Sequence, residues 1–229
     1  VLSYRNLSDA ARLVLPEYSL YAVNLSGHDT GADPVFLSAE ETAKPVFEEI
    51  VRMNPQEVVL YGHCVGCAPM LALAHLLENA GIPIAGIIAG GIYPPEYVGL
   101  YGGFFDPWMF SSDKQILEYL MRIGLPKNTS DADSLAFVIK AFRHDAKSFY
   151  RYLQGLRKDP EARLKTGIHF VAGEKDRVTN RYAKRYKNWR KYSSDVTLHV
   201  IPGAEHYFIN THPEELVRIM SAVFAEKER

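Results

Sequence analysis

The sequence is short of cysteine, of long apolar runs and of excess charge, and each shortage excludes a class of protein. The two cysteines among the 229 residues lie close together, so this is no disulfide-stapled secreted domain. No apolar run is long enough to span a membrane, and no signal-like segment opens the chain. The formal net charge of -1 offers little attraction to nucleic acid or to anionic lipid. We therefore expect a globular cytoplasmic protein without nucleic-acid or membrane partners.

One basic stretch with interleaved aromatics runs against this expectation. Residues 181–191 read Arg-Tyr-Ala-Lys-Arg-Tyr-Lys-Asn-Trp-Arg-Lys, which is compatible with RNA binding. A surface helix with solvated Lys and Arg beside a partly buried aromatic stripe is the simpler interpretation, and we favour it.

Segments typical of strands alternate with segments typical of helices along most of the chain. Short apolar runs predict strands at residues 20–23, 57–61, 84–88, 167–172 and 196–201. Helical patterns cover residues 3–15, 38–53, 69–79 and 213–226, and Ser38 with Glu41 predicts a capping box. This alternation predicts an α/β protein with a mostly parallel sheet covered by helices on both faces.

Residues 92–165 interrupt the alternation. They contain no convincing strand and many aromatic side chains, so we predict a helical lid inserted into a single domain that spans residues 1–229. Their aromatic residues suit either an apolar pocket or ordinary core packing. The chain opens on Val1 rather than Met, and we expect an N-terminal strand and its loop to be missing from its start.

The sharpest local signal is the run Gly-His-Cys-Val-Gly at residues 62–66, between a predicted strand and a predicted helix. In such an elbow the nucleophile stands on a strained turn, and the flanking glycines relieve backbone crowding. The turn would expose Cys64 at a helix N-terminus, which favours a thiolate, and the Val65 N–H would face a developing oxyanion. The pattern predicts an α/β-hydrolase fold with Cys64 as its nucleophile.

Two other interpretations of this cysteine stay open. Cys64 can be a buried structural residue. Cys64 and Cys67 also form a C-x-x-C pair at a helix start, as in thioredoxin-like redox proteins, although that interpretation gives the later Asp and His no role. On the hydrolase interpretation, Cys67 is a small buried residue one turn into the helix.

A cysteine nucleophile needs a base, and the base needs an orienting acid; in this fold they follow the nucleophile in the order acid, then base. His206 follows the last predicted strand and a Gly-containing loop, the usual place of the base. Asp176 follows the strand at residues 167–172 and is placed to receive the imidazole N–H of His206, with Glu174 as its nearest competitor. We therefore predict a triad of Cys64, His206 and Asp176 and no metal site.

Six other histidines compete for the role of the base: His63, His75, His144, His169, His199 and His212. His63 adjoins the nucleophile but is expected to point differently, and the others are assigned to a helix, to strands, to a cap or to a short His-Asp pair.

Together these segments resemble the thioesterases of nonribosomal peptide and polyketide synthesis over nearly the whole chain. Residues 20–28 are similar to the family's strand followed by Gly-Arg/His, and residues 141–150 to its lid segment with an Asp and an aromatic. Residues 62–66, 173–176 and 203–208 match its elbow, acid and base segments, with Cys where the family usually has Ser.

The position of the acid separates two subtypes of the family that the chain resembles. C-terminal releasing domains usually place the acid after the strand that follows the nucleophile helix, but here residues 89–92 read Ala-Gly-Gly-Ile. Stand-alone type II enzymes place it two strands later, where Asp176 lies. The family's second oxyanion donor precedes the first helix, and no counterpart is visible in this chain.

The resemblance implies release of an acyl or peptidyl group from the phosphopantetheine thioester of a carrier protein, with no further cofactor. The enzyme would be free-standing or part of a larger synthetase chain. A Cys64 acyl-enzyme is itself a thioester, which discriminates for amines over water better than an oxoester does, so Cys64 would favour amide or lactam formation.

Three alternatives to this implication stay open. One is a dienelactone-hydrolase-like enzyme with a Cys elbow that acts on small esters or lactones. Another is a non-catalytic carrier-binding module. In the third, Cys64 was introduced in place of a natural Ser.

Overall fold

The computed structural model describes residues 4–28, 35–97, 108–124 and 132–226. The strands are β1 (Val58–His63), β2 (Ile84–Gly90), β3 (Ile168–Gly173) and β4 (Val196–Ile201). The helices are α1 (Arg5–Val14), α2 (Ala39–Met53), α3 (Cys67–Asn79), α4 (Asp113–Ile123), α5 (Ala132–Lys158), α6 (Tyr182–Arg185), α7 (Phe208–Thr211) and α8 (Pro213–Glu226).

The four strands form one parallel sheet in the order β1-β2-β3-β4, which confirms the predicted α/β class. Alternate side chains of a strand enter opposite layers. In β2, Ile87 packs in the layer formed with α2, α3 and α5, whereas Ile88 packs in the layer formed with α1 and α8. Phe170 and Val171 of β3 divide between the same two layers. Burial on both faces explains why these strands are apolar runs rather than alternating patterns.

Local signals in the sequence placed most boundaries correctly. The capping box of α2 is present: the Glu41 N–H donates to Ser38 Oγ at 3.2 Å, and the Ser38 N–H donates to Glu41 Oε2 at 2.8 Å. The helix ends at Asn54, which adopts a left-handed conformation with φ 47°. The predicted strands that became β1 to β4, and the predicted C-terminal helix, lie within about two residues of the observed bounds.

The predicted strand at residues 20–23 is wrong. This segment forms no strand, and Leu20, Tyr21 and Val23 are 41%, 68% and 44% exposed. A strand exists only where a neighbour satisfies its backbone N–H and C=O groups, and no described segment pairs with residues 20–23. The run has the composition of a strand, but its apolar side chains are exposed here, and the local pattern carried no information about a partner.

The basic stretch is not one continuous helix. It forms the single turn α6 and continues as a tighter 3₁₀ helix, Tyr186–Lys191. Trp189 is fully buried, whereas Lys184 and Arg190 are exposed. This division of the basic and aromatic side chains fits the surface-helix interpretation rather than an RNA-binding face.

The described part of the predicted lid is helical. A 3₁₀ turn at Pro95–Tyr97 follows β2, and α4 and α5 come after it; residues 98–107 and 125–131 lie outside the described ranges. Ile116 of α4 and Ile139 of α5 pack in a separate small cluster. The function of these helices as a lid, the single-domain organisation and the missing N-terminal strand stay predictions. No helix in the described ranges is long and apolar enough to cross a membrane.

Candidate active site

Cys64 stands on a sharp turn between β1 and α3 with a φ of 51°, a backbone conformation that residues other than Gly rarely adopt. Such strain costs about 1–3 kcal/mol and concentrates at functional sites. Gly62 permits the turn, because a Cβ there would lie 2.8 Å from the Cα of Cys67. Gly66 does not share this function: a Cβ there would meet nothing within 4 Å. The expectation that both glycines relieve crowding therefore holds for Gly62 alone.

The second cysteine is enclosed in the core. Cys67 is fully buried, and its thiol lies 3.8 Å from the Gly90 carbonyl oxygen. Burial raises the pKa of Cys67 well above its usual value, and the nearby Cys64 adds to the effect. Because thiol–disulfide exchange proceeds through an accessible thiolate, a buried and protonated Cys67 does not support the C-x-x-C redox interpretation.

Asp176 and His206 meet at the carboxyl ends of β3 and β4, the end of a parallel sheet at which α/β proteins bind ligands. The Nδ1 atom of His206 lies 3.0 Å from Asp176 Oδ2, and both side chains are buried, with exposed fractions of 2% and 0%. Asp176 also accepts hydrogen bonds from the Val178 N–H at 2.8 Å and the Thr179 hydroxyl at 2.7 Å.

These donors decide the charge of the carboxylate. Burial raises the pKa of Asp176. The hydrogen bond and the charge of His206, together with the hydrogen bonds from Thr179 and Val178, outweigh burial and lower the pKa below its usual value. Asp176 is therefore an ionised acceptor in a fixed orientation. Sequence reasoning missed Thr179, although a Thr three residues after an Asp at the end of a strand is a turn signal that could have indicated this bond.

The loops that carry the acid and the base are bonded to each other. The Lys175 N–H donates to the Ala204 carbonyl at 2.8 Å, and a Cβ on Gly173 would lie 2.5 Å from the same oxygen. Glu174, the competing acid, is exposed and accepts the Gly203 N–H at 2.7 Å. Glu174 thus forms a hydrogen bond to the loop that carries His206 instead of one to the imidazole.

Both Cys64 and Asp176 affect the pKa of the His206 imidazole. Burial lowers the pKa of His206, but Cys64 and Asp176 together outweigh burial and raise it to about 10. Its Nε2 atom is buried and makes no hydrogen bond of ordinary geometry to the described residues. This nitrogen is therefore available to exchange a proton with the thiol or with a substrate. The structure therefore brings Cys64, His206 and Asp176 together.

A second histidine, missed as part of the site, packs against the first. The rings of His63 and His206 are 5.2 Å apart, and Nδ1 of His63 lies 2.9 Å from the Tyr61 hydroxyl. Burial, with the charge of His206, lowers the pKa of His63 to about 3, so His63 is neutral and unsuited to be the base. Gly91, with φ 64°, packs against both rings: a Cβ there would lie 3.1 Å from His206 Cε1 and 3.2 Å from His63 Cε1.

Four of the remaining histidines lie in two separate groups away from the candidate triad. His28 Nε2 lies 2.9 Å from Asp145 Oδ2, and His144 Nδ1 lies 3.4 Å from the other oxygen of the same carboxylate. His169 and His199 face each other across β3 and β4 at 3.1 Å. Among the described residues, no cluster of three or more His, Cys, Asp or Glu side chains could hold a metal ion.

Cys64 and Val65 open into a pocket of about 280 Å³ between the sheet and α4, α5 and α6. Half of its described lining residues are aromatic: Tyr93, Tyr97, Trp108, Tyr119, Phe142, Phe149 and Tyr150. Arg185 is the only charged side chain among the described lining residues. The pocket is suited to an apolar group bonded to Cys64, with a single cation in its wall.

Known proteins resemble the chain in sequence and in fold. It is 26% identical over 197 residues to "Phenyloxazoline synthase MbtB" of Mycobacterium tuberculosis, a match that covers 85% of this chain and 13% of that protein. It is 21% identical over 201 residues to "Probable anguibactin biosynthesis thioesterase AngT" of Vibrio anguillarum, covering 85% and 76%. The chain thus spans about one-eighth of the length of the first of these relatives.

Two solved structures share the fold over nearly the whole chain. The thioesterase RedJ from the prodiginine pathway of Streptomyces coelicolor superposes with a TM-score of 0.77 at 19% identity, covering 97% of this chain and 85% of that one. YbtT, described as a type II thioesterase from the yersiniabactin pathway, superposes with a TM-score of 0.69 at 20% identity, covering 96% and 88%. Residues 2–219 match the alpha/beta hydrolase family, which supports both the predicted fold and the predicted hydrolase class. The chain belongs to that family.

Proposed function

We propose that the protein is a type II-like thioesterase that releases an acyl or peptidyl group from a carrier-protein phosphopantetheine thioester through a Cys64–His206–Asp176 triad. The observation that carries the proposal is an elbow cysteine at positive φ whose thiol is coupled to a buried Asp–His pair. AngT, RedJ and YbtT are each described as a thioesterase, which supports the same substrate class.

The chemistry follows from the protonation states of the site. Cys64 gives its thiol proton to His206 Nε2, and its Sγ attacks the thioester carbonyl while the Val65 N–H stabilises the oxyanion that forms. The tetrahedral intermediate expels the pantetheine sulfur, which takes a proton from His206, and the acyl group remains on Cys64. Water or an amine then attacks this acyl-enzyme and gives a proton to His206 Nε2, and Cys64 leaves as a thiolate. Asp176 holds the imidazole orientation throughout.

The loop after β2 supports a type II-like layout. A releasing domain would carry its acid near residues 89–92, but these read Ala-Gly-Gly-Ile. A Cβ on Gly91 would lie 3.1 Å from His206 Cε1 and 3.2 Å from His63 Cε1, so a side chain there would require these rings to shift. Asp176 supplies the carboxylate from the end of β3 instead.

We also propose that the cysteine directs the acyl group toward amines. Exchange between two thioesters is nearly isoenergetic, so the acyl-enzyme keeps its activation and discriminates for amines over water better than an oxoester does. The test is the ratio of amide to free acid formed with an added amine by the wild-type protein and by Cys64→Ser. An equal ratio in the two proteins contradicts the idea.

The partner would be an acyl or peptidyl carrier protein, and the phosphopantetheine arm would be the only prosthetic group involved. A cytoplasmic location, and a free-standing or synthetase-embedded arrangement, belong to the same proposal.

Thioester turnover distinguishes the proposal from a small-ester hydrolase. The rate of acid release from an acyl-phosphopantetheine carrier protein is compared with the rates for a p-nitrophenyl ester and a small lactone. We expect the carrier thioester to have the highest kcat/KM, and Cys64→Ala to abolish its turnover. Cys67→Ala is the matched control, because it removes the neighbouring thiol, and it should retain activity. Faster turnover of the lactone would favour a dienelactone-hydrolase-like enzyme. Binding of the carrier protein without turnover would favour a non-catalytic module.

A further inference from the structure

Arg185 occupies an unusual place in the wall of the pocket that Cys64 opens into. Its guanidinium carbon lies 4.6 Å from the ring centroid of Tyr93 and 4.7 Å from that of Tyr97. The side chain is half-buried and lines the same cavity as Cys64 and Val65. Two aromatic faces therefore hold one cation beside the pocket.

Both rings are themselves held by their hydroxyl groups. The Arg181 N–H donates to the Tyr93 hydroxyl at 2.6 Å, and the Asn188 side-chain amide donates to the Tyr97 hydroxyl at 2.9 Å. Anchored rings restrict the rotamers of the guanidinium between them, so little side-chain entropy remains to be lost when Arg185 binds a ligand.

Among the residues that the structure describes, the polar edge of this guanidinium has no protein partner. A guanidinium has five N–H donors, and contacts with ring faces use none of them. Within residues 4–28, 35–97, 108–124 and 132–226, the Arg185 side chain forms no ion pair and no hydrogen bond, and no carboxylate lines the pocket. A pre-oriented cation with unused donors beside an otherwise apolar pocket is suited to bind an oxyanion.

We propose that Arg185 is a specificity-determining residue that binds an anionic oxygen group of the substrate while its thioester reaches Cys64. Such a group is a carboxylate on the acyl chain or the phosphate of the pantetheine arm, because both present oxygens that a guanidinium bonds in the same way. The assignment rests on the proposed thioesterase function, since it requires the pocket to hold a thioester.

Three thioesters separate the two sources of charge. The hexanoyl thioester of N-acetylcysteamine is neutral, its adipoyl counterpart adds a carboxylate to the acyl chain, and hexanoyl-phosphopantetheine adds a phosphate to the arm. Initial rates give kcat/KM for the wild-type protein and for Arg185→Gln. We expect Arg185→Gln to lower kcat/KM about tenfold or more, mainly through KM, for one charged substrate and less than about twofold for the neutral one. The substrate that is affected identifies the charged group.

Two further variants keep the test independent of folding. Arg185→Lys retains the charge and should lose only part of the preference for the charged substrate, since an ammonium lacks the planar fork. Lys184→Gln removes an exposed cation from the same turn and should leave the ratio of charged to neutral kcat/KM unchanged. Thermal melts of all variants show whether each protein is folded.

The outcomes separate this inference from the proposed function. Equal losses for all three substrates in Arg185→Gln, or no loss for either charged substrate, would overturn the role of Arg185 while leaving thioesterase activity in place. Absence of turnover for every thioester by the wild-type protein would overturn both.

Discussion

Gly91→Ala tests whether the close packing around His206 matters for activity. The residue has φ 64°, and forcing Ala into this left-handed conformation costs about 1–2 kcal/mol of stability. The new Cβ would also lie 3.1 Å from His206 Cε1, closer than ordinary van der Waals contact, so the ring must move by a few tenths of an ångström. That ring is fixed by a 3.0 Å bond to Asp176, and misplaced catalytic groups lose large factors in rate.

We expect Gly91→Ala to lower kcat/KM for a thioester by about 10- to 100-fold, which corresponds to about 1.4–2.7 kcal/mol of transition-state stabilisation. Urea unfolding and initial rates are measured side by side. Gly81→Ala is the matched control, because Gly81 has φ 72° but a Cβ there would meet nothing within 4 Å.

Gly81→Ala should lose a similar amount of stability and keep its activity. If Gly91→Ala also keeps its activity while losing the same stability as Gly81→Ala, the argument from packing around His206 is refuted.

Three further predictions concern hydrogen bonds and charge. Thr179→Val removes a buried 2.7 Å hydrogen bond to a carboxylate and should lower the free energy of unfolding by about 1.5–3 kcal/mol in urea, whereas Thr179→Ser should not. NMR titration should show His206 protonated up to about pH 10 in the wild-type protein and to a lower pH in Cys64→Ser, because Cys64 contributes to the raised pKa of His206; a wild-type midpoint near 6.5 would contradict this contribution. The hydrogen bond to Asp145 raises the pKa of His28, although burial opposes the shift. The wild-type protein should therefore be more stable than Asp145→Asn. The difference in unfolding free energy should be largest below pH 6.5, the pKa of His28 in the unfolded chain. That difference should shrink as the pH rises through the raised folded pKa, and a difference that grows with pH would reverse the argument.

Features that depend on a few neighbouring residues could be predicted from the sequence. The capping box of Ser38, the buried strands and the elbow at Cys64 each have a local pattern, and Asp176 and His206 could be placed because each follows a predicted strand. The parallel sheet then brings the ends of those strands to one edge, where the acid and the base meet.

Features that depend on distant segments could not be predicted in this way. The run at residues 20–23 has the composition of a strand, but pairing depends on a neighbour that the pattern does not specify. The place of His63 against His206 arises because β1 and the loop after β4 meet in space. The two tyrosines around Arg185 come from the turn after β2, far from α6 in sequence.

Mass spectrometry of the intact protein after mixing with an acyl-phosphopantetheine thioester tests the central claim most directly, namely that Cys64 is the nucleophile. The account predicts a mass increase equal to the acyl group that is transient in the wild-type protein, accumulates in His206→Ala and is retained in Cys67→Ala. The same adduct should be absent from Cys64→Ala. An adduct of equal yield in Cys64→Ala, or no adduct in any of the four proteins, would contradict it.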